Sequence, residues 1–276
     1  MAAAQQYDLN DLKHLMTRLR DPQTGCPWDL EQTYRTIAPS TIEEAYEVVD
    51  AIERGNFVHL KEELGDLLFQ VIFYSQLATE EQRFSVDEVI SDLVVKLVRR
   101  HPHVFPENTL DSEVESHRSV EQDTDIKQRW ESLKREERKA KGQGGVLDDI
   151  PLNFSALTRA TKLQKRAASV GFDWPSIEGV LEKVEEELAE VKQAIADNDS
   201  RAIQEEFGDL LFAVVNGCRH SKVEPESALR GTNQKFERRF AYIERELVKR
   251  GQTPQEASLE LMDALWDEAK VELSEE

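Results

Sequence analysis

Positive charge is scarce in this chain. The chain has 35 Lys and Arg residues and 55 Asp and Glu residues, which gives a formal net charge of −20 at pH 7. A field of that sign repels the phosphate backbone of nucleic acids and the surface of anionic membranes, so we predict neither as a partner. A polyanionic substrate would need bound cations to approach such a protein.

Cysteine and long apolar stretches are also scarce. Cys26 and Cys218 are the only cysteines and form no Cys-x-x-Cys motif, which excludes a disulfide framework. The longest apolar stretch, near residues 67–74, is far shorter than the roughly 20 residues that span a bilayer. The first residues also lack the basic and then apolar pattern of a secretory signal. We therefore expect a cytoplasmic protein.

One pattern is present twice. Residues 43–69 read Glu-Glu-x-x-Glu and then Glu-Glu-Leu-Gly-Asp-Leu-Leu-Phe, and residues 186–212 repeat these acids and the Gly-Asp-Leu-Leu-Phe ending at a constant offset of 143. An ungapped match of this kind indicates a tandem duplication. We predict one domain at 1–135 and a second at 151–276, joined by the charged and then glycine-rich linker 136–150.

Apolar residues recur at helical spacing along both repeats, and strand signals are few. Each repeat contains two acidic helical segments separated by a turn, at Gly55-Asn56 and at Asn198-Asp199-Ser200, and a further apolar helix follows. The sequence therefore predicts an all-α fold made of tandem helical-bundle repeats.

The repeated acids are spaced so that they share one helix face. In the second repeat, Glu187 aligns with Glu190 and Glu206 aligns with Asp209, because residues three or four apart lie on one side of a helix. Antiparallel packing of the two helices would bring the four carboxylates together. The first repeat predicts the same arrangement from the equivalent residues, Glu44, Glu47, Glu63 and Asp66.

Clustered carboxylates repel one another unless a cation lies among them. The pattern includes no His or Cys, which argues against zinc, and no Glu-x-x-His, which argues against a di-iron bundle. Oxygen ligands alone suit Mg²⁺. A solvated acidic helix face would explain one such repeat, but it does not explain two repeats with identical spacing.

Cations and a tryptophan follow the acids of the second repeat. Lys235 and Arg239 share a helix face and can bind phosphate oxygens beside a metal, although solvated ion pairs with neighbouring glutamates are the alternative. Trp266 can stack on a nucleobase or pack in the core. Asn233, where the first repeat has Val94, can hydrogen-bond a base or a sugar.

Together these features resemble the MazG family of nucleoside triphosphate pyrophosphohydrolases. Both repeats meet the family motif of Glu-Glu-x-x-Glu followed by Glu-x-x-Asp, and Cys26-Pro27-Trp28-Asp29 and residues 100–105 and 235–240 look like segments of its two-domain bacterial form. The resemblance implies an all-α NTP pyrophosphatase fold, Mg²⁺ dependence and a homodimer. It also implies conversion of an NTP with any of several bases, ribo or deoxy, to an NMP and pyrophosphate, in nucleotide-pool control or stress response.

The resemblance also implies roles for individual residues. Metal would be bound by Glu187, Glu190, Glu206 and Asp209, with a second, weaker site at Glu44, Glu47, Glu63 and Asp66. The nucleotide would contact Lys183, Glu186, Glu187, Glu205, Asn233, Lys235, Arg238, Arg239 and Trp266. For catalysis, Glu186 or Glu205 would orient or deprotonate water, and Lys235 and Arg239 would stabilise the leaving pyrophosphate.

The two repeats differ at positions that bear on function, since Asp50 aligns with Gln193 and Val94 with Asn233. Our interpretation is that the C-terminal half is the main catalyst, while the N-terminal half binds metal and is weak, regulatory or structural. The alternative is a non-catalytic helical module whose acids bind structural cations or a basic partner. Lys235, Arg239 and Trp266 argue against that alternative, because such a module needs no phosphate ligands.

Overall fold

The computed structural model describes residues 6–112, 136 and 144–273. The chain divides into two compact units, Met1–Leu133 (unit 1) and Lys134–Glu276 (unit 2). Much of the predicted linker lies outside the described residues, so the domain limits given above stay a prediction. Within the described part of the chain, no helix combines the length and the apolar character needed to cross a membrane.

Unit 1 contains five described helices. They are α1 (Leu9–Leu19), α2 (Pro27–Glu31), α3 (Tyr34–Glu53), α4 (Phe57–Glu80) and α5 (Val86–Arg100). Helices α3 and α4 form the central hairpin, and α1 and α5 pack on α4.

Unit 2 repeats the hairpin and continues into two further helices. Its described helices are α6 (Ala156–Ala168), α7 (Ile177–Ala196), α8 (Ser200–His220), α9 (Pro225–Lys249) and α10 (Leu259–Glu272). Helices α7 and α8 form the hairpin, α6 packs on α8, and α9 packs on α10. Residues 6–112 and 144–273 contain no strand, and the predicted all-α fold is confirmed.

The hairpin turns lie where the sequence predicts them. Gly55, between α3 and α4, has φ +65°, and Asn198, between α7 and α8, has φ +52°, which is the left-handed conformation that ends a helix. Asn56 then accepts a hydrogen bond from the His59 backbone, and Asp199 accepts two from the start of α8. These caps fix where each second acidic helix begins.

The core of unit 1 surrounds Phe73, which is fully buried on α4. Met16, Ile37, Ile72 and Leu77 are buried in the same cluster. In unit 2, the described core cluster lies between α9 and α10 and consists of the buried residues Ile243, Leu247 and Leu265 with Phe240 and Trp266 packed against them.

Both hairpins leave the same apolar face exposed. Large apolar side chains on it are 41–57% exposed at equivalent positions separated by the offset of 143, and burial of such a face requires a further surface. We call the two sets the hairpin faces; they comprise Ile52, Leu64, Leu68 and Val71 in unit 1 and Ile195, Phe207, Leu211 and Val214 in unit 2.

The exposed fraction on the hairpin faces is lowest at Val71, at 41%, and highest at Ile52 and Leu211, at 57%. About half of each side chain is therefore open at matching positions of the two units. Each hairpin presents an apolar surface that its own unit does not cover.

A partly buried ion pair joins the end of α1 to the end of α4. Arg20 is buried, its Nη2 lies 2.7 Å from Oε2 of Glu80, and its guanidinium lies 5.4 Å from the centre of the Phe73 ring. Burial acts to raise the pKa of Glu80, but hydrogen bonds from Arg20 and Gln76 and the charge of Arg20 outweigh it, so the pKa is lowered. A carboxyl group whose pKa is lowered by folding stabilises the folded state at pH values above the ordinary glutamate pKa. That stability is lost as the pH falls through the lowered pKa.

We therefore expect Glu80→Gln to lower the free energy of unfolding of unit 1 by about 1 kcal/mol at pH 7, a value kept small because the Glu80 side chain is 35% exposed. Urea unfolding at pH 7 and at pH 3 would measure it, and the difference from the unaltered protein should shrink at the lower pH. Glu81→Gln, which removes an exposed pair with Arg83, is the control and should cost less. Equal losses for the two variants at pH 7 would contradict the prediction.

Candidate metal and nucleotide site

Three carboxylates meet across the α7–α8 hairpin of unit 2. One oxygen from each of Glu187, Glu190 and Glu206 lies within 4.8 Å of the other two, and we call this group the unit 2 triad. Glu187 is buried, Glu206 is half-buried and Glu190 is exposed. Asp209, the fourth predicted ligand, lies one turn beyond Glu206 on α8 and lines a cavity together with Glu187.

Unit 1 contains a second group of this kind. Oxygens of Glu44, Glu63 and Asp66 lie within 4.8 Å of one another, and we call this group the unit 1 triad. Glu47, the fourth predicted residue there, hydrogen-bonds Glu63. The two triads thus draw on the same four repeat positions but differ in one member. That member is Asp66 in unit 1 and Glu190 in unit 2, and these two residues occupy different repeat positions.

The electrostatics of both triads favour a cation. Burial, followed by the charges of neighbouring carboxylates, raises the pKa of Glu44. Burial is also the largest cause that raises the pKa of Glu63 and of Glu190, and a hydrogen bond with Glu187 adds to it at Glu190. Every donor in the two triads is a carboxylate oxygen, which fits a hard divalent cation such as Mg²⁺.

Each unit also places one basic side chain against its buried glutamate. In unit 2, Nζ of Lys183 lies 2.7 Å from Oε1 of Glu187 and 3.0 Å from Oε1 of Glu186. Hydrogen bonds to these two glutamates raise the pKa of Lys183 well above its ordinary value, so the ammonium stays charged. The equivalent position in unit 1 is Ser40.

In unit 1 the corresponding contact comes from a different helix. Nε2 of His59, in the first turn of α4, lies 3.1 Å from Oε1 of Glu63. Unit 2 has Ala202 at that position. The two acidic sites therefore share their carboxylates but not the basic side chain beside them.

Two predicted glutamates border the unit 2 triad. Glu186 is exposed and shares Lys183 with Glu187. Glu205 is exposed and pairs with Arg201 one turn earlier on α8, at 2.9 Å. Of the two, Glu186 is thus linked to the triad through a shared cation.

The remaining predicted nucleotide contacts lie on α9 and α10. The Arg239 guanidinium lies 5.4 Å from the centre of the Trp266 ring, and that ring lies 5.3 Å from the ring of Phe236. Trp266 is half-buried and packs against the α9–α10 core. Three further predicted residues, Asn233, Lys235 and Arg238, are exposed on α9. Neither the unit 2 triad nor the cavity beside it includes any of these residues.

A cavity of about 380 Å³ adjoins the unit 2 triad, and the sequence did not predict it. Lys183, Glu187 and Asp209 line it on one side, and Gln164 and Trp174 line it from α6 and from the segment before α7. In the sequence, the signal for this cavity was the pair of aromatic residues in Phe172-Asp173-Trp174, directly before the acidic helix α7.

A glycine on α7 makes room for the tryptophan of this cavity. A Cβ atom added at Gly179 would lie 2.6 Å from Cδ1 of Trp174, closer than real Cβ contacts allow. Any larger residue at this position would push the ring away from the helix. The close approach lets the Trp174 ring lie against α7, where it lines the cavity.

We expect Glu44→Gln combined with Glu190→Gln to raise the melting temperature of the metal-free protein and to reduce the further rise that Mg²⁺ produces. The variant removes one repelling carboxylate from each triad, and it also removes a ligand from each. Because the raised pKa values mean that the folded state binds protons more tightly than the unfolded chain, metal-free stability should fall as the pH rises from the ordinary glutamate pKa to the raised one.

Differential scanning fluorimetry with EDTA or with Mg²⁺ measures both effects. Glu185→Gln, which removes an exposed carboxylate of α7 outside the triad, is the matched control and should leave the Mg²⁺ response unchanged. A double variant that melts below the unaltered protein in EDTA and keeps its full Mg²⁺ response would contradict the prediction.

Comparisons with known proteins agree with this geometry. The family model of the MazG nucleotide pyrophosphohydrolase domain matches twice, at residues 32–105 and 176–243. These segments contain α3–α5 of unit 1 and α7, α8 and most of α9 of unit 2, and therefore both triads.

Curated relatives match over nearly the whole chain. A nucleoside triphosphate pyrophosphohydrolase of Escherichia coli K12 is 48% identical over 266 residues, which cover 95% of this chain and 97% of the relative. The nucleoside triphosphate pyrophosphohydrolase/pyrophosphatase MazG of Thermotoga maritima is 43% identical over 260 residues, which cover 94% of each chain. This chain therefore belongs to the MazG family of nucleotide pyrophosphohydrolases, in the form that carries two MazG domains.

Proposed function

We propose that this chain hydrolyses nucleoside triphosphates at the bond between the α- and β-phosphates, releasing a nucleoside monophosphate and pyrophosphate. The observation that carries the proposal is the unit 2 triad, an oxygen-only cation site beside Lys183 and a cavity of about 380 Å³. The names of the relatives and the length of the match support the same reaction. A broad range of ribo and deoxy substrates, a role in nucleotide-pool control or stress response and a cytoplasmic location belong to the proposal.

The metal proposed for this reaction is Mg²⁺. Glu187, Glu190 and Glu206 would bind it in unit 2, and Asp209 is a proposed fourth ligand. When bound, Mg²⁺ polarises phosphate oxygens and lowers the pKa of a coordinated water. It also offsets the negative field of the chain where the substrate enters.

Lys183 and Glu186 supply the groups that act beside the metal. The Lys183 ammonium is held between two glutamates, so its charge is in place before a phosphate arrives. Glu186 shares that lysine and can accept a proton from the attacking water. Glu205 is the second candidate for this role, and its ion pair with Arg201 makes it the weaker one.

Helix α9 is the proposed source of further phosphate contacts. Lys235, Arg238 and Arg239 present cations along this helix, and Lys235 and Arg239 would stabilise charge on the leaving pyrophosphate. Asn233 and Trp266 are proposed nucleoside contacts. The support for this group is the stacking of Arg239 over Trp266, which places a cation and an aromatic face together.

Unit 1 is proposed to bind metal with little or no turnover through Glu44, Glu47, Glu63 and Asp66. Ser40 stands where unit 2 has Lys183, and Val94 aligns with Asn233. A site without these groups lacks the lysine charge and one hydrogen-bonding partner. It can still bind a divalent cation through its carboxylates.

The proposed assembly is a homodimer. Each hairpin face is an apolar surface about half exposed, and the same surface on a second copy is complementary in character. A two-fold axis would let identical faces cover each other. This arrangement removes apolar area from water without any other partner.

We expect the purified protein to convert ATP, GTP, dCTP and dUTP to monophosphate and pyrophosphate with Mg²⁺, and to lose this activity in EDTA. Glu206→Ala should lower kcat by at least about 100-fold, because it removes a carboxylate of the triad on which the metal depends. Anion-exchange chromatography of the products measures both results.

Glu63→Ala, the equivalent change in unit 1, is the matched control and should leave most activity in place. Loss of activity with Glu63→Ala and not with Glu206→Ala would reverse the assignment of the catalytic unit. Diphosphate and inorganic phosphate as products would move the reaction to the β–γ bond. Absence of turnover with every nucleotide would favour the non-catalytic binding module.

Light scattering after size exclusion should give twice the chain mass of 31.7 kDa. We expect Leu211→Arg to lower the mass towards that of a single chain, because it places a charge in a hairpin face. Val248→Arg, at an exposed apolar position of α9 outside the hairpin faces, is the control and should leave the dimer intact. A dimer that survives Leu211→Arg together with Leu68→Arg would contradict this assembly.

A further inference from the structure

A histidine lies beside the unit 1 triad at a position where unit 2 has no basic residue. His59 lies at the offset of 143 from Ala202. The lysine of unit 2 is likewise missing from unit 1, because Ser40 lies at the same offset from Lys183. A lysine ammonium only donates hydrogen bonds, whereas a neutral imidazole carries a nitrogen lone pair that can bind a metal. The exchange therefore places a possible metal ligand beside the acids of unit 1.

The first turn of α4 holds this histidine in place. The backbone N–H of His59 donates to Oδ1 of the N-cap residue Asn56 at 3.2 Å. The imidazole ring lies between two glutamates of the same helix, with Nδ1 3.5 Å from Oε2 of Glu62 and Nε2 3.1 Å from Oε1 of Glu63. The Glu62 side chain is exposed, and that of Glu63 is only 8% exposed. The ring thus connects a carboxylate at the surface with the buried carboxylate of the triad.

The contact between His59 and Glu63 needs a positive ion. A carboxylate oxygen and the lone pair of a neutral imidazole nitrogen are both acceptors, and at 3.1 Å they repel unless a proton or a metal ion lies between them. Glu47 and the other members of the unit 1 triad also lie close to Glu63, but they are acids and supply no positive charge. The contact is therefore either an ion pair or one edge of a metal site.

The geometry of the ring fits a metal site. Two ligand atoms at right angles around a cation, with bonds of about 2.1 Å, are about 3.0 Å apart. The separation of Nε2 of His59 and Oε1 of Glu63 is 3.1 Å. Metal-binding histidines commonly donate their other ring N–H to a carboxylate, and here Nδ1 faces Glu62. That partner favours the tautomer in which Nε2 keeps its lone pair.

An open groove gives an ion access to His59. The groove has a volume of about 510 Å³, and its lining includes His59 at the start of α4 and three acids of α3, Glu43, Glu47 and Asp50. These acids raise the local concentration of cations. The His59 side chain is 43% exposed, so an ion can reach it directly from solvent.

We infer that His59 is a metal ligand together with Glu63, and that unit 1 binds a divalent transition-metal ion such as Co²⁺, Ni²⁺ or Zn²⁺ in preference to Mg²⁺. The inference rests on the metal-binding role proposed above for unit 1 and adds the residue that selects the ion. Imidazole nitrogen is a favoured ligand of these ions, whereas Mg²⁺ prefers oxygen. Unit 2 has Ala202 at the equivalent position, and the donors of its triad are all oxygens, which suits Mg²⁺.

The test measures Co²⁺ binding to the untagged full chain at pH 8, where protons compete little for an imidazole nitrogen. Isothermal titration in excess Mg²⁺ should show one tight Co²⁺ site per chain, because Mg²⁺ occupies the unit 2 triad. His59→Ala installs the residue that unit 2 carries, and it should weaken Co²⁺ binding at least about tenfold. The visible absorption of bound Co²⁺ should change with the loss of the nitrogen ligand, while the Mg²⁺-induced rise in melting temperature remains.

A second pair of imidazoles in unit 1 supplies the matched control. The rings of His101 and His103 lie 5.6 Å apart, and two neighbouring imidazoles can also attract Co²⁺. His101→Gln combined with His103→Gln should leave the tight Co²⁺ site in place. Glu206→Ala, which alters the unit 2 triad, should leave it in place as well. Loss of the tight site in either control, with retention in His59→Ala, would assign the ion elsewhere and overturn the inference.

Co²⁺ binding of equal strength in His59→Ala and in the unaltered protein would also overturn it and leave the His59 contact as an ion pair only. Because the titration needs no turnover, the two proposals fail separately. A chain that has the tight Co²⁺ site but hydrolyses no triphosphate would retain this site and lose the proposed reaction. A chain that hydrolyses triphosphates but binds Co²⁺ no more tightly than Mg²⁺ would retain the reaction and lose the transition-metal site.

Discussion

The close approach of carboxylates across one helical hairpin is the constraint on which the rest of this structure depends. Three acids with oxygens within 4.8 Å of one another repel, and burial of Glu63 or Glu187 increases the cost. The hairpin tolerates this because its capped turn fixes the register of two long helices and apolar packing keeps them together. Folding alone does not relieve this repulsion between carboxylates, and a bound cation would relieve it. The carboxylate cluster is therefore formed at the expense of stability.

Duplication gave two copies of this hairpin, and substitutions gave the two copies different neighbouring side chains. The carboxylates persist at the same offset, but the basic side chain beside them is Lys183 in unit 2 and His59 in unit 1. Behind the acids, Phe73 fills the core of unit 1, whereas Asn216 lines a cavity in unit 2. A filled core favours stability, while a cavity with polar groups favours a ligand. The proposed division between a metal-binding unit and a catalytic unit is therefore consistent with the packing as well as with the charges.

Much of the fold and part of the site could be predicted from residue spacing. Helical periodicity and the turn residues Gly55 and Asn198 indicated the hairpins, and the acid spacing indicated the triads. Spacing could not show that Asp66 joins the group in unit 1 while Asp209 lines the cavity in unit 2, because side-chain conformation depends on local contacts. The place of Gln164 in the cavity wall was also hidden, since the group it contacts, the backbone of Phe212, lies on another helix.

The sequence by itself determined the duplication, the helical class and the identity of the clustered acids, because these follow from periodic patterns within one helix or between adjacent helices. Only the tertiary structure decided which acids approach one another, which basic side chain accompanies each triad and where space remains in the core. The space in unit 2 depends on contacts that α6 and the segment before α7 make with α8, from which α7 separates them along the chain. Packing between such elements is set by the shape of every side chain involved, and a linear pattern carries no record of that shape.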